Sequence, residues 1–184
     1  MGSSIHSDID TVLFDASQIA KAVAAIGHEI SRDYADKKPV LITVLRGGLV
    51  FLADLIRAID LPLSVDFMAI SSYGPQNDTG VVQVLKDLEE SITGRDVIMV
   101  EDVIDTGLTL NYLMQILSAR QPATLKVCAL LDKSVRRIAN IKIDYKGFDL
   151  PDIFVVGYGL DVGGLYRNLP YIGMPKEEIV SGQK

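Results

Sequence analysis

The chain has 184 residues, 48% of them hydrophobic, which is enough for one domain with a sizeable core and too little for two comfortable ones. Its 18 basic residues face 24 acidic ones, a net charge of −6, so no overall positive field draws it to nucleic acid or to an anionic membrane, and an anionic ligand must be held locally or through a metal ion. The single cysteine, Cys128, lies in an apolar run and reads as a buried thiol; no apolar stretch reaches the roughly 18 residues of a membrane helix and the N-terminus lacks a signal pattern, so the expected location is cytoplasmic.

In chain order, Ile19, Val23, Ile26 and Ile30 recur at helical spacing and predict an amphipathic first helix over residues 17–34. Residues 40–45 form a short β-branched run that passes through Arg46-Gly47-Gly48 into a helix-like stretch at 49–59. A second strand is expected over 63–70, followed by Ser71-Ser72-Tyr73-Gly74-Pro75-Gln76-Asn77-Asp78-Thr79-Gly80, which gathers turn-forming residues and reads as a mobile surface loop. Residues 81–86 return from it as a strand. A buried strand at 96–100, a helix at 109–119 and strands at 125–131 and 153–156 complete the series. Apolar strands alternating with helices predict an α/β fold with a mainly parallel sheet covered on both faces.

The strongest signal is Val97-Ile98-Met99-Val100-Glu101-Asp102-Val103-Ile104-Asp105-Thr106-Gly107-Leu108-Thr109. An apolar strand ends in two carboxylates and then opens a helix, and the carboxyl ends of strands are where ligands bind in an open α/β sheet. The loop from Asp105 to Thr109 offers successive backbone N–H groups, two hydroxyls and a helix N-terminus, which suit a phosphate monoester. Asp105, Thr106 and Thr109 could also be simple capping residues, with Thr109 as the helix cap. Adjacent carboxylates at a strand end, however, are expensive to pack unless something cationic or hydroxyl-bearing meets them; a ribose and a magnesium ion would do both.

Rival motifs are absent or broken: there is no G-x-x-x-x-G-K-[ST], and Gly157-Tyr158-Gly159-Leu160-Asp161-Val162 has valine where a dinucleotide fingerprint needs its third glycine. Only two histidines occur, His6 and His28, which argues against zinc sites and Ser-His-Asp catalysis.

With that long motif, the chain from about Ile9 to Pro175 resembles the bacterial hypoxanthine-guanine phosphoribosyltransferases, within the type I phosphoribosyltransferases. The resemblance implies a single domain over 1–184, a mainly parallel twisted sheet flanked by helices, and a small hood built from about residues 1–15 and 150–184. It implies transfer of a phosphoribosyl group from phosphoribosyl pyrophosphate (PRPP), with Mg2+, to hypoxanthine or guanine. Asp105 would be the catalytic base. Thr106, Gly107, Leu108 and Thr109 would cradle the 5-phosphate, and Glu101 and Asp102 would hold ribose hydroxyls and magnesium. Leu45-Arg46-Gly47 would form the pyrophosphate loop, often with a non-proline cis peptide between its first two residues, and Arg167 would be a pyrophosphate contact.

Ser72 and Tyr73 match the start of a flexible catalytic loop. Lys133 matches the lysine on the purine 6-oxo group, Phe154 the stacking aromatic, Val155 its neighbour, and Asp161 a second magnesium ligand. Leu108 stands where some relatives carry lysine, a change expected to matter little because backbone N–H groups do most of the cradling. Glu89-Glu90 and Arg136-Arg137 match no element of the site and read as solvated faces. A xanthine-preferring transferase and a PRPP-sensing regulator that binds nucleic acid are the alternatives; the acidic balance, Asp105 and Lys133 argue against the regulator. The family further implies a homodimer or homotetramer.

Overall fold

The computed structural model describes residues 4–72 and 82–182. Strand β1 (Ile9–Phe14) leads into α1 (Ala16–Asp33), which opens with a capping box: the Asp15 side chain accepts from Gln18 N, and the Gln18 side chain accepts from Asp15 N. There follow β2 (Val40–Leu45), α2 (Leu49–Ala58), β3 (Ser64–Ser72), β4 (Val82–Lys86), β5 (Asp96–Ile104), α3 (Leu108–Ala119), β6 (Thr124–Asp132), β7 (Tyr145–Asp149), β8 (Ile172–Pro175) and a short α4 (Glu177–Ser181).

Six strands form one sheet in the order β4-β3-β2-β5-β6-β7, parallel except for β4, which pairs antiparallel with β3. The expected α/β architecture is therefore present. In β5, Ile98 and Val100 join α1 and α2 in one core cluster, whereas Val97 and Met99 join α3 in the other. Successive side chains of a strand point to opposite faces, so an uninterrupted apolar run is what a strand covered on both sides requires.

The chain leaves β2 through α2 toward β3 and leaves β5 through α3 toward β6, so its direction across the sheet reverses between the adjacent β2 and β5. A crevice opens at the carboxyl ends of strands at such a reversal. Over it sits the hood, whose two-stranded antiparallel sheet pairs β1 with β8. The hood approaches β2 closely: Gly159 adopts φ +101°, and a Cβ there would collide with the Gly47 carbonyl oxygen. Gly47 in turn abuts the Asp102 carboxylate. The peptide between Leu45 and Arg46 is cis.

Two sequence expectations fail here. Residues 153–156 form no strand; Val156 makes a single bridge to Gly173, because the segment belongs to the hood and lies outside the main sheet. Thr109 does not cap α3. Gly107, at φ +79°, is the N-cap and has no side chain with which to cap the helix. β1, β7 and β8 are strands that the sequence pattern does not announce.

Candidate active site

Two adjoining cavities lie at the ends of β2 and β5. The smaller, about 210 Å³, is lined by Thr106, Gly107, Thr109 and Leu110 together with Val44, Ile70, Glu101 and Asp105. The larger, about 570 Å³, shares Val44, Glu101, Val103 and Asp105 with it and adds Lys133, Arg136, Phe154, Val155, Asp161 and Arg167.

The smaller cavity faces the uncapped start of α3. A positive φ at Gly107 turns the chain sharply into the helix, and among the described residues Leu108 N finds only a long contact to Thr106 Oγ1, 3.4 Å. Free N–H groups at a helix N-terminus form an anion site. The loop is braced from behind, where Ile138 N and Ala139 N both donate to Thr106 O, at 2.9 and 3.1 Å, and Arg137 Nε donates to Asp105 O at 3.2 Å.

In the larger cavity the charges are unbalanced in an instructive way. Glu101 makes no side-chain hydrogen bond among the described residues; desolvation first, and the neighbouring Asp102 second, hold its carboxyl well above the usual carboxylate range. Asp102 is also raised, by desolvation above all, although its Oδ1 accepts from Val103 N at 2.8 Å. Both residues keep some solvent-accessible surface, yet protein encloses their carboxylates closely enough for desolvation to dominate. Oxygen donors in this state suit a hard cation and ribose hydroxyls.

Among the described residues no group of three or more His, Cys, Asp or Glu forms a metal cage. Magnesium is ordinarily held by one or two carboxylates and a substrate's own oxygens, a donor set to which Glu101 and Asp102 would contribute. Asp161 fits less directly, because its Oδ1 pairs with Arg167 Nη2 at 2.7 Å and its Oδ2 accepts from Gly164 N at 2.7 Å.

Lys133 is only 8% exposed, and its ammonium has no hydrogen bond or ion pair among the described residues. The side chain lines the larger cavity, where its ammonium can donate to a ligand acceptor. Phe154, 47% exposed, lies in the wall of the same cavity beside the buried Val155. Asp105 turns Oδ1 inward, where Arg136 Nε is 3.2 Å away but too poorly aligned to count as a hydrogen bond. Arg167 also donates to Gly159 O at 2.5 Å, which fixes it to the hood.

Of the residues singled out by sequence, Leu45, Gly47, Glu101, Asp102, Asp105, Lys133, Phe154, Val155, Asp161 and Arg167 meet in the larger cavity, and Thr106, Gly107 and Thr109 in the smaller. Arg46 and Leu108 have exposed side chains and line neither. Ser72 ends β3, while Tyr73 and the loop of residues 73–81 lie outside the described residues.

The Arg136-Arg137 pair corrects the sequence reading. Arg136 lines the larger cavity, and Arg137 is mostly buried, pairing with Asp132. The signal was available for Arg136: it stands three residues after Lys133, across the 3-10 turn Ser134–Arg136, which puts both on one side.

A cradle for a phosphate beside a cavity that offers a donor and an aromatic ring defines a nucleotide-handling enzyme of the open α/β class. A family model, the phosphoribosyl transferase domain, matches residues 11–162. The chain is 48% identical over 173 residues to a hypoxanthine-guanine phosphoribosyltransferase of Bacillus subtilis, covering 94% of this chain and 96% of that one. It is 51% identical over 173 residues to the enzyme of the same name from Mycobacterium avium, covering 90% and 85%. A crystal structure of a hypoxanthine phosphoribosyltransferase from Staphylococcus aureus superposes with a TM-score of 0.92 at 44% identity, over 97% of this chain and 98% of that one. The chain belongs to the type I phosphoribosyltransferases, in the hypoxanthine-guanine branch of that family.

Proposed function

We propose that the chain is a purine-salvage enzyme that transfers the 5-phosphoribosyl group of PRPP to hypoxanthine or guanine, giving IMP or GMP and pyrophosphate. The observation that carries this reading is the larger cavity, which gathers an inward-turned carboxylate, a mostly buried lysine with no partner among the described residues and an aromatic wall beside a phosphate-sized neighbour.

In the reaction a purine imidazole nitrogen attacks the anomeric carbon as the bond from that carbon to pyrophosphate breaks, and pyrophosphate leaves with the electron pair. Asp105 takes the proton released from the base, a role worth about 10²–10⁴-fold in rate. Lys133 donates to the 6-oxo oxygen, Phe154 stacks on the ring, and Val155 meets the base edge through its backbone. The loop from Asp105 to Thr109 holds the 5-phosphate, while Leu45-Arg46-Gly47 and Arg167 face the pyrophosphate. Glu101 and Asp102 accept from the ribose hydroxyls.

Glu101 and Asp102, with Asp161 as a further donor, would hold magnesium, which when bound would supply charge neutralisation to an anionic substrate in an acidic site. The assembly that family membership supports is a homodimer or homotetramer, which sedimentation of the purified chain reads directly.

The test is turnover with PRPP and magnesium on hypoxanthine, guanine, xanthine and adenine in parallel. Hypoxanthine and guanine should be consumed and adenine refused, with activity lost in excess chelator and restored by magnesium. Asp105→Asn should keep PRPP binding while kcat falls about 10²-fold or more. Wild-type turnover in that variant would remove Asp105 from proton transfer.

A further inference from the structure

None of the roles above uses Arg136, yet it lines the larger cavity. Its placement follows from the 3-10 turn Ser134–Arg136. Three residues per turn bring residue i+3 over residue i, and Arg136 N donates to Lys133 O at 3.0 Å. Lys133 and Arg136 therefore share the cavity side of the turn, while the next residue, Arg137, goes to Asp132. The Arg136 guanidinium lies between carboxylates from two other segments: Nε is 3.2 Å from Asp105 Oδ1, and Nη1 is 3.6 Å from Asp152 Oδ1. Asp105 follows β5, and Asp152 stands two residues before Phe154. One side chain thus joins the three segments that carry the base, the lysine and the aromatic wall.

We infer that Arg136 is a positioning residue of the purine subsite, a guanidinium strut between Asp105 and Asp152 that sets the spacing between the proton-accepting carboxylate and the Phe154-Val155 segment. The inference rests on the purine-transfer reading. A planar fork with donors on different edges can engage two carboxylates at once, whereas a lysine ammonium is a point charge suited to one. Side-chain exposures of 47% for Arg136, 42% for Asp105 and 60% for Asp152 make the strut a weak contributor to folding stability. Its effect falls on geometry, since even a small misplacement of the groups around a bound substrate slows the reaction steeply.

The experiment compares kcat, KM for hypoxanthine, KM for PRPP and melting temperature in the wild type, Arg136→Ala, Arg136→Lys, Asp152→Ala and the Arg136→Ala/Asp152→Ala double variant. Arg136→Ala should raise KM for hypoxanthine about fivefold, the size of one well-placed partly exposed charge pair. KM for PRPP and the melting temperature should stay close to wild type, because Arg137 rather than Arg136 braces the phosphate loop. Asp152→Ala should act in the same direction, and the double variant should be no worse than the more affected single one, since a strut cut at either end is cut. Arg136→Lys, which keeps one contact of two, should fall between.

An unchanged KM for hypoxanthine in Arg136→Ala overturns the inference. So does an equal rise in both KM values with a lower melting temperature, which would mark a merely structural arginine, or full additivity in the double variant, which would remove Asp152 as the second anchor. Inactivity of the wild type toward every purine overturns the transfer reading and the strut together, whereas the variant ratios bear on the strut alone.

Discussion

Glu101 shows how a binding group can burden the protein that carries it. Its carboxyl is held well above the usual range by desolvation and by Asp102, so the folded, ligand-free chain binds this proton more tightly than the unfolded chain does. Between the unfolded and folded values the native state carries the extra proton. Stability from this group is therefore fully present below the unfolded value and is lost as pH rises from there through the folded value. Glu101→Gln removes the ionisable group and should raise the melting temperature of the ligand-free protein. If about 1 kcal/mol is recovered, the rise is roughly 2–4 °C for a chain of this size. The same change should shrink the stabilisation given by PRPP with magnesium, and thermal melts with and without ligand read both effects. An unchanged ligand-free melt would mean that the carboxyl carries no net desolvation burden in the native protein.

Lys133 is the complementary case, a mostly buried residue that lines the same cavity. It can only donate, so a 6-oxo group satisfies it and a 6-amino group does not. Lys133→Ala should raise KM for hypoxanthine and narrow its advantage over adenine in competition assays. A preference that survives intact would place the reading of the 6-position elsewhere.

At the scale of the element, the loop between β5 and α3 keeps its shape through contacts made outside the ligand cavities. Arg137 reaches the carbonyl oxygens of Asp105 and Ile104 and pairs with Asp132, whose side chain is 9% exposed. Lys146 lies 3.6 Å from the other Asp132 oxygen and would compensate only in part. Removing one partner of a buried pair costs about 3–5 kcal/mol. With Lys146 present the low end applies, and Arg137→Ala should lower the melting temperature by roughly 6–10 °C. PRPP should weaken as well, because the braced carbonyls belong to the phosphate loop. A melt within about 1 °C of wild type would show that Lys146 carries Asp132 alone.

At the scale of the whole molecule, site geometry depends on the hood seating against the sheet. Gly159 N donates to Arg167 O at 3.0 Å, Gly159 O receives Arg167 Nη1, and the glycine packs on the Gly47 carbonyl, which leads to Asp102. Any side chain at Gly159 meets both an unfavourable φ and a backbone oxygen. Gly159→Ala should lift the hood from the pyrophosphate loop, raising KM for PRPP by about tenfold or more and disturbing purine binding less. Crystallography or amide exchange at residues 45–48 would locate the change. Wild-type kinetics in Gly159→Ala would show that the two segments move apart without consequence.

What the sequence determined by itself was local and periodic. Apolar runs marked β2, β5 and β6, helical spacing marked α1, and the strand-carboxylate-glycine order at residues 97–109 identified the phosphate loop. Each signal is written in neighbouring residues, where strand and helix geometry act directly. Tertiary structure decided what depends on residues distant along the chain. β1 and β8 lie more than 150 residues apart and neither has a strongly apolar run, since the hood sheet is half exposed and its pairing supplies what its pattern lacks. Arg136 and Arg137 look alike in sequence. A 3-10 turn sends the first into the cavity toward Asp105 and Asp152 and the second behind the loop to Asp132, because side-chain direction is set by the turn and by the carboxylates that other segments bring within reach.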